Sequence, residues 1–230
     1  VTPTPRSSFS FTVHEPYGVV AAIAPWNFPI ILAAWKFAPA LAAGNAVVLK
    51  PSEMTPFAAM RIAALAVEAG LPAGLFNVLH GGGEVGAALV KHPGVDYVTF
   101  TGSSATGARI MADAALHGLK PVSLELGGKG PQLVFADAPD LDKLAATIAR
   151  GITYNAGQVC FAGSRLVVER RIADDLLARV RRHMLGGQTG TTWDEGTSIP
   201  PIINERQLDR IAGIVDAAVA DGAEPLCGAE

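Results

Sequence analysis

The sequence predicts an α/β protein built on a parallel sheet, followed by the start of a second α/β domain. Three observations carry this reading. Short β-rich runs alternate with helical patterns through the first half of the chain, as strands joined by crossover helices do. The first two runs are apolar almost throughout, the mark of strands covered on both faces. Polar residues and glycines collect just past the ends of the runs, where an open parallel sheet binds its ligands.

Taken in order, strands are expected at 18–24 (GVVAAIA), 45–50 (NAVVLK), 75–79 (LFNVL), 95–100 (VDYVTF) and 121–126 (PVSLEL). Helices are expected between them at 30–43, 55–69, 84–92 and 104–117. The second helix is entered through Ser52, Thr55 and Pro56 and left at Gly70, which fits the start and stop signals of helices. Further helices are expected at 139–157, 170–185 and 204–221, the last two separated by a long loop at 186–200 that forms a candidate seam. Tyr17 to Trp35 contains no charge, yet Pro25 and Pro29 flank Asn27 and break any helix there. A strand, a turn and a helix are expected in place of a membrane span. The opening VTPTPRSSFS lacks both an initiator methionine and the apolar stretch of a signal peptide, so it reads as a piece of a longer chain without a leader.

With 230 residues, half of them hydrophobic, the chain can bury a sizeable core. A net charge of −3 gives no positive field to hold nucleic acid or an anionic membrane, so small-molecule partners are expected. Two distant cysteines, Cys160 and Cys227, make no disulfide framework and fit a reducing compartment, by default the cytoplasm.

Two stretches compete as phosphate loops. GGGEVG at 81–86 satisfies the G-x-G-x-x-G spacing after a strand and before a helix, but that helix is short and no acidic residue follows at the distance a ribose contact needs. In FTGSSATG at 100–107, Gly102 lets the backbone turn, and Ser103 and Ser104 can cap a helix whose free N–H groups face an anion. An ordinary capped helix is the alternative. Lys50 and Glu53 follow a strand end and could hold vicinal ribose hydroxyls, or form a solvated ion pair.

Alternation puts Val122, Leu124 and Leu126 on one face and Ser123 and Glu125 on the other, with Gly127 and Gly128 opening space beyond. A carboxylate at the end of a buried strand would be desolvated and so suited to a general base; a salt bridge of Glu125 with Lys129 is the alternative. Cys160, within NAGQVCFAGSR at 155–165, is either a nucleophile or a small packing residue, and Cys227 is read as packing. A cysteine hydrolase needs a histidine partner. Of His14, His80, His92, His117 and His183 only His80 sits at a strand end, and nothing in the sequence pairs it with Cys160.

Together, APWNFP at 24–29, AWKFAPALAAGN at 34–45, KPSE at 50–53, FTGS at 100–103, LELGGK at 124–129 and GQVC at 157–160 resemble the aldehyde dehydrogenase superfamily in order and spacing. The resemblance covers the chain from about residue 8 onward. It implies a Rossmann-like dinucleotide-binding domain at 1–127 and the beginning of a catalytic domain at 128–230. It also implies NAD as cofactor, an aldehyde as substrate, a free acid as product, no metal, and a homo-oligomeric parent enzyme.

By the same resemblance Cys160 is the nucleophile, Asn27 the oxyanion donor and Glu125 the base that activates water. The cofactor set is Ile23, Trp26, Lys50, Ser52, Glu53, Gly102, Ser103, Gly107 and Leu126, and the substrate tunnel is lined by Phe28, Leu32, Trp35 and Phe161. Lys36 is read as structural. GGGEVG falls in a neighbouring loop of the family. Relatives continue past this chain to a second glutamate that grips the nicotinamide ribose, so the isolated piece is expected to turn over aldehyde poorly. TSIPPII at 197–203 departs from the family's usual run and its role is open, while Phe161 is larger than is common after the nucleophile. The alternatives are a cysteine-dependent hydrolase and a catalytically silent cofactor-binding protein.

Overall fold

Two compact units divide the chain, Val1–Leu126 and Gly127–Glu230, and the computed structural model describes residues 7–228. The opening stretch read for a leader lies partly outside the described residues.

The first unit runs β1 (Val19–Ile23), α1 (Pro29–Ala42), β2 (Ala46–Lys50), α2 (Phe57–Glu68), β3 (Phe76–Val78), α3 (Gly83–Lys91), β4 (Tyr97–Gly102), α4 (Ser104–Leu116) and β5 (Val122–Leu126). The five strands form one sheet in the order β3-β2-β1-β4-β5, parallel at every pairing. The chargeless stretch resolves as expected into β1, a turn and α1, with Pro29 in the first turn of the helix, where its missing N–H has no partner to lose. Among the described residues no helix is long and apolar enough to cross a membrane.

Alternation along β1 builds two apolar layers at once. Val20 and Ala22 pack with Ala33 of α1, Ala59 of α2 and Val47 and Leu49 of β2. Ala21 and Ile23 pack on the other face with Val90 of α3, Val98 and Phe100 of β4 and Ile110 of α4. A strand covered on both faces has no room for polar alternation, which is why this run reads as continuously apolar.

The second unit contains β6 (Pro131–Val134), α5 (Leu141–Thr153), β7 (Arg165–Val168), α6 (Ala173–Leu185) and α7 (Glu205–Ala220). β6 and β7 pair in parallel, and their inward residues Val134, Leu166 and Val168 meet Ala145, Ile148 and Ala149 of α5 and Leu176 and Val180 of α6. Asp140 and Asn204 cap α5 and α7, accepting from the N–H of Lys143 at 3.0 Å and of Gln207 at 2.9 Å.

Two expectations need correction here. Neither β6 nor β7 was expected, and the helix expected over 139–157 stops at Thr153. Beyond Thr153 the backbone turns left-handed at Asn155, Ala156 and Gly157, with φ of 51°, 53° and 74°. That reversal ends the helix.

Candidate active site

A cavity of about 470 Å³ opens in the first unit at the carboxyl ends of β1, β2 and β4. From β1 the chain winds outward through β2 to β3, then crosses back to β4 on the other side of β1 and winds outward to β5, so the β1–β4 gap is the switch point of the sheet. Ile23, Trp26, Lys50, Ser52, Glu53 and Gly102 of the expected cofactor set all line it. Ser103, Gly107 and Leu126 are not on its wall. Ser103 instead caps α4, its hydroxyl accepting from the N–H of Thr106 at 3.3 Å, and Leu126 ends β5.

Lys50 and Glu53 do form the ion pair that was one alternative, but only its acidic end is solvated. The Lys50 side chain is 6% exposed while that of Glu53 is 60% exposed, and Nζ lies 3.6 Å from Glu53 Oε2. The amine also donates to the carbonyl of Pro51 at 3.1 Å. A buried ammonium with one carboxylate at the cavity wall keeps donor capacity for a ligand hydroxyl. The hydroxyl of Thr101, on the same wall, is buried without a hydrogen-bond partner in the protein. A buried polar atom left unpaired in this way is one a ligand can satisfy.

The glycine-rich stretch at 81–86 is only partly absorbed. The N–H of Gly82 donates to the carboxylate of Glu84 at 3.0 Å, so the loop satisfies this donor with its own acid. The backbone N–H groups of Glu84 itself and of Gly82 hold that carboxyl below its ordinary range. Gly83 and Gly86 nevertheless line the cavity, as do Thr106 and Arg109 of α4. Gly83, Gly86 and Thr106 fall within the two stretches weighed as phosphate loops, whereas sequence reasoning missed Arg109 and Asp113 altogether. The strand order, which puts both helices over the β1–β4 gap, would have pointed to them.

Glu125 is exposed, which corrects the expectation of a desolvated carboxylate. The reason is topological: β5 is the edge strand, paired only with β4. On the same face lies Lys36 of α1, buried at 6% exposure, whose Nζ donates to Thr99 Oγ1 at 3.2 Å. Burial pulls the Lys36 amine down from 10.5 to about 8, and the charge of Glu125 acts in the opposite direction. Asn27, in the β1–α1 turn, is half-buried. Of the expected tunnel residues in this unit, Leu32 is buried, Phe28 half-buried and Trp35 67% exposed.

Cys160 belongs to the second unit. It is half-buried, in the turn between the left-handed residues 155–157 and β7. Beyond it come Phe161, 73% exposed, and Ala162, buried. The amide of Gln132 on β6 fixes the far end of the turn by donating to the carbonyl of Gly163 at 2.6 Å. Gly128 explains itself here, since a Cβ on it would stand 3.2 Å from the carbonyl oxygen of Cys160. The other thiol, Cys227, is also half-buried.

An open parallel sheet with a cavity at its switch point defines an α/β protein of the nucleotide-binding class. The family model described as Aldehyde dehydrogenase family matches residues 1–230, and the chain belongs to that family. It is 46% identical over 223 residues to the NADP/NAD-dependent aldehyde dehydrogenase PuuC of Escherichia coli (strain K12), covering 96% of this chain and 45% of that protein. A crystal structure of a gamma-glutamyl-gamma-aminobutyraldehyde dehydrogenase from Burkholderia cenocepacia is 51% identical with a TM-score of 0.87, covering 90% of this chain and 42% of that one. An indole-3-acetaldehyde dehydrogenase in complex with NAD+ is 46% identical with a TM-score of 0.91, covering 96% and 46%. The chain thus spans a little under half the length of these relatives.

Proposed function

We propose that the protein is an NAD-dependent, non-acylating aldehyde dehydrogenase that works through Cys160. The observation that carries the reading is the switch-point cavity, where buried Lys50, the carboxylate of Glu53 and the unpartnered hydroxyl of Thr101 converge. This donor and acceptor set fits a dinucleotide. Lys50, Ser52 and Glu53 hold the hydroxyls of the adenosine ribose, and Gly102 with the start of α4, which Ser103 caps and Gly107 lets pack close to β5, receives the pyrophosphate. Ile23, Trp26 and Leu126 border the nicotinamide half. NAD, when bound, takes up the hydride that leaves the substrate carbon. In this reading the first unit is the cofactor domain and the second begins the catalytic domain.

Family membership and the motif positions of Cys160, Asn27 and Glu125 support the chemistry. The thiolate of Cys160 forms a bond to the aldehyde carbon, and the carbonyl electrons move onto oxygen. The side-chain amide of Asn27 and the backbone N–H of Cys160 donate to that oxyanion. After oxidation the acyl group remains on sulfur as a thioester. Glu125 takes a proton from water, whose oxygen bonds to the acyl carbon while the carbon–sulfur bond breaks, giving the free acid and restoring the thiolate. Glu125 is exposed, so its carboxylate is open to the water this step consumes. Phe28, Leu32, Trp35 and Phe161 wall the apolar part of the aldehyde. A cytoplasmic homo-oligomer completes the reading.

The test is NADH formation and thiol labelling in two variants of the intact parent enzyme. Cys160→Ser is expected to abolish NADH formation and to leave Cys227 as a thiol that labels. Glu125→Gln is expected to keep a first burst of NADH and then slow turnover by about 10²–10⁴, the usual value of a positioned base. Undiminished turnover in Cys160→Ser would defeat the proposal.

A further inference from the structure

We infer that Gln158 is a positioning residue for Cys160, its carboxamide clamping the thiol-bearing turn onto the segment Pro201–Ile203. The inference rests on the reading of Cys160 as the nucleophile. It starts from an unusual piece of backbone. Asn155 and Ala156 are left-handed, with φ of 51° and 53°, immediately before Gly157 at 74°. A non-glycine residue is strained in that region, because its Cβ crowds the following carbonyl oxygen. Such conformations persist only where the surroundings over-determine them.

The Gln158 side chain supplies that determination through three backbone groups. Its Nε2 donates to the carbonyl of Asn155 at 3.1 Å and to the carbonyl of Pro201 at 3.4 Å. Its Oε1 accepts from the N–H of Ile203 at 2.9 Å. Only one orientation of the amide sets donors against both carbonyls and an acceptor against the N–H, so the network also fixes the amide assignment. One contact closes the left-handed turn on itself, and the other two tie it to a segment 43 and 45 residues further along the chain.

That segment is a stiff anchor. Pro200 and Pro201 restrict the backbone before the acceptor, and Asn204, directly after Ile203, caps α7. TSIPPII at 197–203, whose role the sequence left open, becomes the abutment for the nucleophile turn. One residue, Val159, separates the clamp from Cys160, and the N–H of Val159 donates to the carbonyl of Gly157 at 2.8 Å. Little backbone freedom remains between clamp and sulfur. The chemistry of the clamp is specific to glutamine. Glutamate at the same length offers only acceptors to two carbonyls, and methionine offers no hydrogen bond of comparable strength.

The experiment compares alkylation of the two thiols by iodoacetamide in the full chain, with Cys227 as internal reference, read by mass spectrometry alongside circular dichroism. In the unaltered protein Cys160 is expected to react faster than Cys227. Equal rates there would sink the nucleophile reading itself, a failure distinct from that of the clamp. In Gln158→Glu the ratio is expected to fall by roughly tenfold or more, as for a displaced reacting group, with Gln158→Met falling less and both dichroism spectra unchanged. A wild-type ratio in both folded variants would overturn the inference. Loss of fold in both would overturn it too, because the residue would then be holding the whole unit instead of placing the thiol.

Discussion

Lys36 offers the sharpest physical test, because its buried amine is a cost the fold carries at neutral pH. Its pKa falls from 10.5 to about 8 through desolvation, against the favourable charge of Glu125. At about 1.36 kcal/mol per pKa unit, that drop corresponds to roughly 3 kcal/mol of destabilisation while the amine is charged in both folded and unfolded chains. Lys36→Met keeps the length of the side chain and removes the charge. It also removes the donor to Thr99 Oγ1, a loss of about 1 kcal/mol. The variant is therefore expected to be more stable than the parent by about 2 kcal/mol at pH 7. Between pH 8 and 10.5 the unfolded chain binds this proton more tightly than the folded one, so the stability of the parent should rise with pH relative to the variant. Above 10.5 the advantage of Lys36→Met should be gone. Urea unfolding of both proteins across this range, followed by the fluorescence of Trp26 and Trp35 in the same unit, reads the difference directly. Other groups titrate there, but they are common to both proteins and cancel. A stability difference that stays flat from pH 7 to 10.5 would refute the reasoning.

Three further outcomes are expected. Glu53→Ser should raise the affinity for NADP relative to NAD by roughly tenfold, about 1.4 kcal/mol, because a carboxylate on the cavity wall repels a 2′-phosphate; ligand titration by Trp26 fluorescence measures it, and an unchanged ratio would move the discrimination elsewhere on the wall. Leu176→Ala should cost the second unit about 2–5 kcal/mol in urea unfolding, since the side chain is fully buried among α5, α6 and β6. Gly157→Ala should cost about 1–2 kcal/mol from its positive φ, and more if the carbonyl of Ile152, 3.1 Å from the added carbon, cannot yield.

The first unit was legible because most of its strand-helix repeats, α3 excepted, carry their own punctuation. An apolar run buried on two faces, a proline or serine at the helix start and a glycine after its end are all local, and local signals survive in sequence. The strands of the second unit send no such signal. β6 begins on Pro131 and exposes Leu133, and β7 exposes Arg165 and Val167, so each is only four residues long and turns an apolar residue outward. The end of α5 was hidden for a different reason: Gly157 is a natural left-handed residue, but nothing about Ala156 announces that it will be one.

The candidate site divides along the same line. Which residues stand at or just past a strand end is a property of the strand, and on that basis Lys50, Glu53, Gly102 and Glu125 were named as candidates. Whether such a residue is buried, exposed or set in a cavity depends on strand order, which no single strand encodes. Lys50 ends β2, an interior strand beside β1, and its ammonium is buried at the cavity wall; Glu125 stands one residue from the end of the edge strand, and its carboxylate meets solvent. Swapping the positions of β2 and β5 in the sheet would exchange those environments without changing a residue in either strand. The chemistry assigned to each group therefore follows from topology acting on locally readable positions. That is also why Arg109 stayed out of sight, and GGGEVG was set aside as a neighbouring loop, until α3 and α4 were seen to flank the switch point.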